Sequence, residues 1–174
     1  AVTALLVAAS RARPLPFAAL APYLTDSDPQ VRWAAAYAIA RQHSPAGARA
    51  LLQAASPDAA FRAEVARELT LKVTGDSLRE RAIARLRQLA ADADPDIRIN
   101  AIRSIGTFGP VARSTVLRAL NDRDPNVRVA AAQSATAALG DARALWDRAW
   151  RTDTIFKVRQ SLLESAMAAG VVLP

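Results

Sequence analysis

Apolar positions recur along this chain at helical spacing. Val31, Ala35, Ala36 and Ile39 form one stripe with the 3.6-residue period of an amphipathic helix, and stripes of Leu, Ala, Val and Ile return throughout. Breakers separate them: Ser44-Pro45, Gly75-Asp76, Gly109-Pro110 and Gly140-Asp141. The pattern predicts a leading helix at 2–10, read as the second helix of a truncated repeat or as a cap. Five helical pairs follow: 16–24 with 29–41, 46–55 with 58–72, 77–91 with 95–106, 110–120 with 125–138, and 141–151 with 154–169.

One phrase starts the second helix of each pair. It reads Asp26-Ser27-Asp28-Pro29-Gln30-Val31-Arg32, then Asp92-Ala93-Asp94-Pro95-Asp96-Ile97-Arg98, then Asp122-Arg123-Asp124-Pro125-Asn126-Val127-Arg128. Degenerate copies run from Ser56 to Arg62 and from Asp153 to Arg159, so the marker arginines stand at 32, 62, 98, 128 and 159. An aspartate accepts the free N–H groups of a first helical turn, and proline at the first helical position loses no hydrogen bond. Self-similarity at this period signals a solenoid, in which each unit buries its apolar face against its neighbours. The expected organisation is a single array over 1–174 with repeats at roughly 15–42, 45–72, 77–107, 110–139 and 141–170. The six-residue excess before Arg98 is expected in the stretch from Thr70 to Ser77. The apolar ends and the missing initial Met suggest a piece of a longer native chain.

Composition sharpens this. Apolar residues make up 52% of the 174 and aromatics 5%, so the apolar content is mostly small and aliphatic, which favours helices. The absence of Cys excludes disulfides and thiolate metal sites. No apolar stretch approaches the roughly 20 residues of a membrane span. The segment, without an intact signal peptide, is expected to be soluble, whether cytoplasmic or exported. The net charge is +7, and Lys72 and Lys157 are the only non-arginine members of the 23 basic residues. Arg-rich codon usage accounts for such an excess, and so does an acidic partner, either nucleic acid or an anionic protein surface.

The phrase Asp-x-Asp-Pro-x-Val-Arg-x-x-Ala-Ala, with Leu or Ile three positions on, resembles the HEAT-repeat family over about 15–170. It looks most like the short bacterial form found in phycobilisome lyases. The match is closest at 28–40, 94–106 and 124–135; Ser56 is read as replacing the capping Asp in the second copy, and Phe156 replaces Pro in the last. The resemblance implies an all-α, right-handed α-solenoid of about five helical hairpins plus the leading helix, acting as a scaffold. It further implies that the turn aspartates Asp28, Asp94 and Asp124, with Arg32, Arg62, Arg98, Arg128 and Arg159, bond between neighbouring repeats as a structural ladder. A row of phosphate-binding arginines is the alternative role for the same residues.

In such arrays the second helices line the concave face. With 31, 35, 36 and 39 inward, positions 33, 34, 37 and 41 of the first copy and their equivalents are expected outward. The partner-binding candidates on this ridge are Trp33, Tyr37, Arg41, Arg67, Asn100, Arg103, Gln133 and Glu164. Ala34, Glu64, Val129, Ala130 and Ser161 belong to the same expected set. Trp, Tyr and Arg are enriched in interface hot spots. Packing of Trp33 and Tyr37 against the leading helix is the competing explanation. Arg79, Arg81, Arg85 and Arg87 read as a solvated outer face, and Trp146 with Trp150 as packing between the last helices.

The chemistry available is thin. One His, His43, and no Cys supply neither a His-based metal site nor a common triad. No metal, no cofactor and no catalytic residue are expected in this segment, although an attached catalytic domain would make it an accessory module. The alkylpurine DNA glycosylases built from similar repeats offer a loose parallel in Trp33, Tyr37, Glu64, Arg67 and Arg103, without a local motif. The expected function is protein–protein interaction on the concave ridge; nucleic-acid binding is the alternative.

Overall fold

A computed structural model of the chain describes residues 2–11, 17–140 and 151–171; most of the expected helix at 141–151, with Trp146 and Trp150, lies outside the described residues. Among the described residues the regular elements are helices, with no strand and no helix long and apolar enough to cross a membrane. In chain order they are α1 (Val2–Ala9), α2 (Phe17–Leu20), a 3₁₀ turn (Ala21–Thr25), α3 (Pro29–Ala40), α4 (Pro45–Gln53), α5 (Ala59–Glu68) and α6 (Leu71–Thr74). Then come α7 (Arg79–Leu89), α8 (Pro95–Gly106), a second 3₁₀ turn (Gly109–Ala112), α9 (Arg113–Ala119), α10 (Pro125–Leu139) and α11 (Phe156–Ala168).

The repeated phrase starts helices as its chemistry requires. Asp28, Asp94 and Asp124 are N-caps, their Oδ1 atoms accepting from the backbone N–H of Gln30 (2.8 Å), Asp96 (2.9 Å) and Asn126 (2.8 Å). Pro29, Pro95 and Pro125 open α3, α8 and α10. Ser44 caps α4 through Gly47. Proline also shapes the first helices: Pro22 and Pro110 lie in the two 3₁₀ turns. The helix expected through 72 stops at Glu68. Leu69 and Thr70 leave helical backbone, and the Thr70 carbonyl starts α6 by accepting from Val73 and Thr74. The extra residues of this repeat form α6 and a turn at Gly75, whose φ of +56° is a conformation glycine adopts without strain.

The chain resolves into two compact units, residues 1–85 and 86–174, the division falling inside α7. In the first, α3 packs against α1 on one side and α5 on the other, and also against α4 and the first 3₁₀ turn. In the second, α10 lies between α8 and α11 and against α9. A helix with neighbours on both flanks buries far more than one stripe. Ala34 and Ala130 are fully buried, and Val129, Ser161 and Glu64 are nearly so, although all were expected outward. Alanine permits this close approach. At Gly106 the approach is closer still: a Cβ there would sit 2.8 Å from Cβ of Ser134 on α10.

Arginine ties the repeats together, but not to the expected aspartates. Arg32 Nε donates to Asp58 Oδ2 at 2.6 Å, Arg98 grips Asp122 with Nε and Nη2 at 2.9 Å each, and Arg128 Nε donates to Asp153 Oδ2 at 2.5 Å. The Nη1 of each arginine turns back to its own phrase, donating to the carbonyls of Asp26 and Ser27, of Asp92 and Ala93, and of Asp122 and Arg123. Arg62 Nη1 likewise donates to Pro57 O, and Arg159 is exposed on α11. Asp28, Asp94 and Asp124 are therefore caps of their own helices, and the links from Arg98 and Arg128 reach Asp122 and Asp153, the first aspartate of the phrase. A carboxylate occupied with first-turn amides cannot also face the preceding repeat. In the second copy Ser56 holds the first position. Its hydroxyl donates to Asp58 Oδ2, and Asp58 makes the link with no capping bond of its own.

These links shift the groups that make them. The Arg32 hydrogen bond holds the Asp58 carboxyl below its usual range, helped by Ser56. Burial works against ionisation of Asp122, but the Arg98 hydrogen bond and the Asp124 backbone N–H outweigh it and lower that carboxyl too. Two outcomes test this architecture. In chemical denaturation Asp122→Ala, which strands buried Arg98, is expected to cost about 3 kcal/mol. Asp94→Ala, which removes one cap, should cost about 1 kcal/mol; equal losses would refute the division of labour. Gly106→Ala should cost about 1–3 kcal/mol by overpacking. Part of that loss should be recovered when Ser134 is also changed to Gly, and strict additivity would show that the close approach is not the cause.

Candidate functional site

Where the second helices of the first unit surface, α3 presents Trp33 and Tyr37 one turn apart. Their rings stack with centroids 5.5 Å apart and an interplanar angle of 29°. Both are half-buried, and Arg41, the C-cap of α3, is exposed. From α5, Arg67 lies exposed, with Nη1 at 3.2 Å from both carboxylate oxygens of Glu64. Glu64 itself is only 5% exposed, and it also accepts a hydrogen bond from the Trp33 side chain. The aromatic pair is thus tied from beneath to a buried carboxylate that Trp33 of α3 reaches across the helices and Arg67 reaches along α5. Burial raises the Glu64 carboxyl above its ordinary value, against the opposing pull of Arg67, Trp33 and Arg41.

One turn further along α5 is Glu68, 2% exposed. Its Oε2 lies 3.0 Å from Nδ1 of His43, and its Oε1 has no hydrogen-bond partner among the described residues. His43 has φ of +47° in the turn after α3, the left-handed position that glycine usually fills after a helix. Burial, with repulsion from Glu64, pushes the Glu68 carboxyl up to about 8. The equivalents of Glu64, two residues after each marker arginine, are Ala34, Asn100, Ala130 and Ser161. Those of Glu68, six residues after it, are Ala38, Ser104, Ser134 and Ser165. Small or neutral side chains occupy these positions in the other repeats, so the two acids are particular to the second.

A cleft of about 270 Å³ adjoins the stack, lined by Ser10, Arg11, Tyr37 and Arg41. In the second unit the other candidates are dispersed. Asn100 is half-buried and Arg103 exposed on α8, Gln133 is exposed on α10, and Glu164 is exposed on α11, where it accepts from Gln160 Nε2 at 2.9 Å. Of the glycosylase-like set, Trp33, Tyr37, Glu64 and Arg67 come together in the first unit and Arg103 belongs to the second. Arg87 of the expected outer face donates to Val111 O at 3.3 Å, and Arg79 lies 3.9 Å from Asp76. Sequence reasoning missed His43 with Glu68 and the cleft residues Ser10 and Arg11; the visible signal was the pair of acids at positions that the other repeats fill with small residues.

Because Glu68 titrates near 8 when folded and near 4.5 when exposed, the folded state holds the extra proton between those values. Stability is therefore expected to fall as pH rises from about 4.5 to about 8. Thermal melts across this window should show that slope in the native chain and a much flatter profile in Glu68→Gln. A Glu68→Gln profile that keeps the full slope would exclude the assignment.

The geometry can now be set beside known proteins. The HEAT-repeat family model matches residues 17–93 and 83–166. No curated protein sequence matches the chain. Among solved structures, the fold resembles a computationally designed armadillo repeat protein for modular peptide recognition, with 15% identity, a TM-score of 0.63, and coverage of 97% of this chain and 91% of that one. A designed armadillo repeat protein solved in complex with the peptide (KR)4 is similar at 15% identity and TM-score 0.62, covering 96% of this chain and 90% of that one. These likenesses show an α-solenoid fold. With the phrase, its caps and the arginine links in place, and with the family match spanning nearly the whole sequence, the chain belongs to the HEAT-repeat family.

Proposed function

We propose that the chain is a protein-binding module that takes an extended segment of a partner along the exposed positions of its second helices, on the concave side expected of the family. The observation that carries this reading is the Trp33–Tyr37 stack, preformed on α3 and braced by Glu64 and Arg67. Rigid aromatics flanked by arginines are the residues from which hot spots are built, because little entropy is lost in fixing them. Arg41, Arg67, Asn100, Arg103, Gln133 and Glu164 supply the surrounding polar contacts. The peptide complex of a designed armadillo protein of similar fold supports a peptide as the object bound. No chemistry is assigned to the segment, since such surfaces act by recognition. The engagement of Arg32, Arg98 and Arg128 with carboxylates favours protein over nucleic acid, because a phosphate track would need those arginines at the surface.

Selection of a displayed random-peptide library on the immobilised chain tests the reading. Enriched peptides are expected, and Tyr37→Ala should weaken them about tenfold or more while the chain still melts cooperatively well above the assay temperature. Absence of enrichment, indifference to Tyr37→Ala, or duplex-DNA binding that survives physiological salt would overturn it.

A further inference from the structure

The cleft beside the aromatic stack has a definite chemistry. Arg11 lies just beyond α1, and Arg41 caps α3; both side chains are exposed and make no hydrogen bond or ion pair among the described residues. Tyr37 forms the wall between the cleft and Trp33, and its hydroxyl is likewise uncommitted. The fourth wall, Ser10, is neutral and occupied: its hydroxyl donates to Val7 O at 2.6 Å, and its carbonyl accepts from Gln42 Nε2 at 3.2 Å. The Gln42 bond joins the end of α1 to the turn after α3 and so fixes the distance across the cleft. Among the described residues, no carboxylate lines it. Glu64, the acid whose field Arg41 feels, is buried and already held by Arg67 and Trp33.

Two guanidiniums and a phenol line a space of about 270 Å³, and its charged groups are both cationic donors. That volume lies below the range of pockets that enclose a whole small molecule, and suits one side-chain head presented from outside. We infer that the cleft takes a carboxylate, and that the partner segment carries an Asp or Glu there while its neighbouring residue packs on the Trp33–Tyr37 stack. This inference rests on the protein-binding reading and adds the partner's chemistry to it. Guanidinium–carboxylate hydrogen bonds are among the strongest available at a surface, and a second arginine excludes cationic competitors. A nucleic-acid backbone fits the arrangement poorly, because the cleft holds one anionic group and the periodic arginines that could extend it are engaged in links between repeats.

The peptide selection separates the two ideas. Enriched peptides should share an acidic residue at one fixed position, and replacing it by its amide should weaken binding about tenfold. A chain carrying Arg11→Glu and Arg41→Glu, both exposed changes, should select Lys or Arg at that position instead. Peptides that depend on Tyr37 but show no acidic preference would sink the inference and leave the protein-binding reading standing. Failure to enrich any peptide would remove both. Preferential binding of a labelled single-stranded DNA probe through Arg11 and Arg41 would also overturn the inference.

Discussion

The link between a marker arginine and the aspartate of the following repeat performs two structural tasks with one side chain. Nη1 closes the arginine's own turn by holding its carbonyls, while Nε faces the next repeat. The receiving aspartate closes its own turn as well, since Asp122 and Asp153 accept from the N–H groups of Asp124 and Ile155. Turn geometry and stacking register are therefore one interaction, and a helix pair cannot slide without breaking the turn that starts it. In the second unit the links share a residue: Asp122 receives Arg98 through its carboxylate and Arg128 through its carbonyl. Burying charge in this way is favourable only when donors and acceptors are matched, and here they are.

From this follows how the surface is divided. Arg32, Arg98 and Arg128 are spent on architecture, whereas Arg11, Arg41, Arg67 and Arg103, outside the phrase, are exposed. Within each unit the middle second helix, α3 or α10, is flanked on both sides, so only a narrow line along it remains exposed. A binding surface on such a fold is discrete, a few side chains per repeat, and the identity of each matters more than the area.

The fold was legible because each level of the sequence agreed with the next: caps, prolines, breakers and stripes all marked the same helix starts. The partners of the ladder were less so, because the phrase holds two aspartates and the one before proline is the obvious candidate. The last copy carried the answer, keeping Asp153 while losing both the capping aspartate and the proline. Exposure along the second helices was half legible. Tyr37, Arg41, Arg67, Arg103 and Gln133 lie at least partly exposed, whereas Ala34, Glu64, Ala130 and Ser161 are buried, because a single stripe understates the buried arc of a helix packed on two flanks. His43 and Glu68 stand 25 residues apart, and their meeting depends on a left-handed turn that no periodicity announces.

The second repeat is where the chain departs most from its own rule, and the departures fall at the two ends and along one face of α5. It lacks the first aspartate of the phrase, its second helix ends early at Glu68, and it places two carboxylic acids where the other repeats place alanine, serine or asparagine. Buried acids disfavour folding at neutral pH, and nothing in the ladder requires them. What Glu64 does accomplish is to hold Trp33 and Arg67 in fixed positions on neighbouring helices, converting two mobile side chains into a prepared surface. Stability given up at one repeat, in exchange for side chains fixed at the surface, is what the proposed binding role would require of an otherwise uniform scaffold.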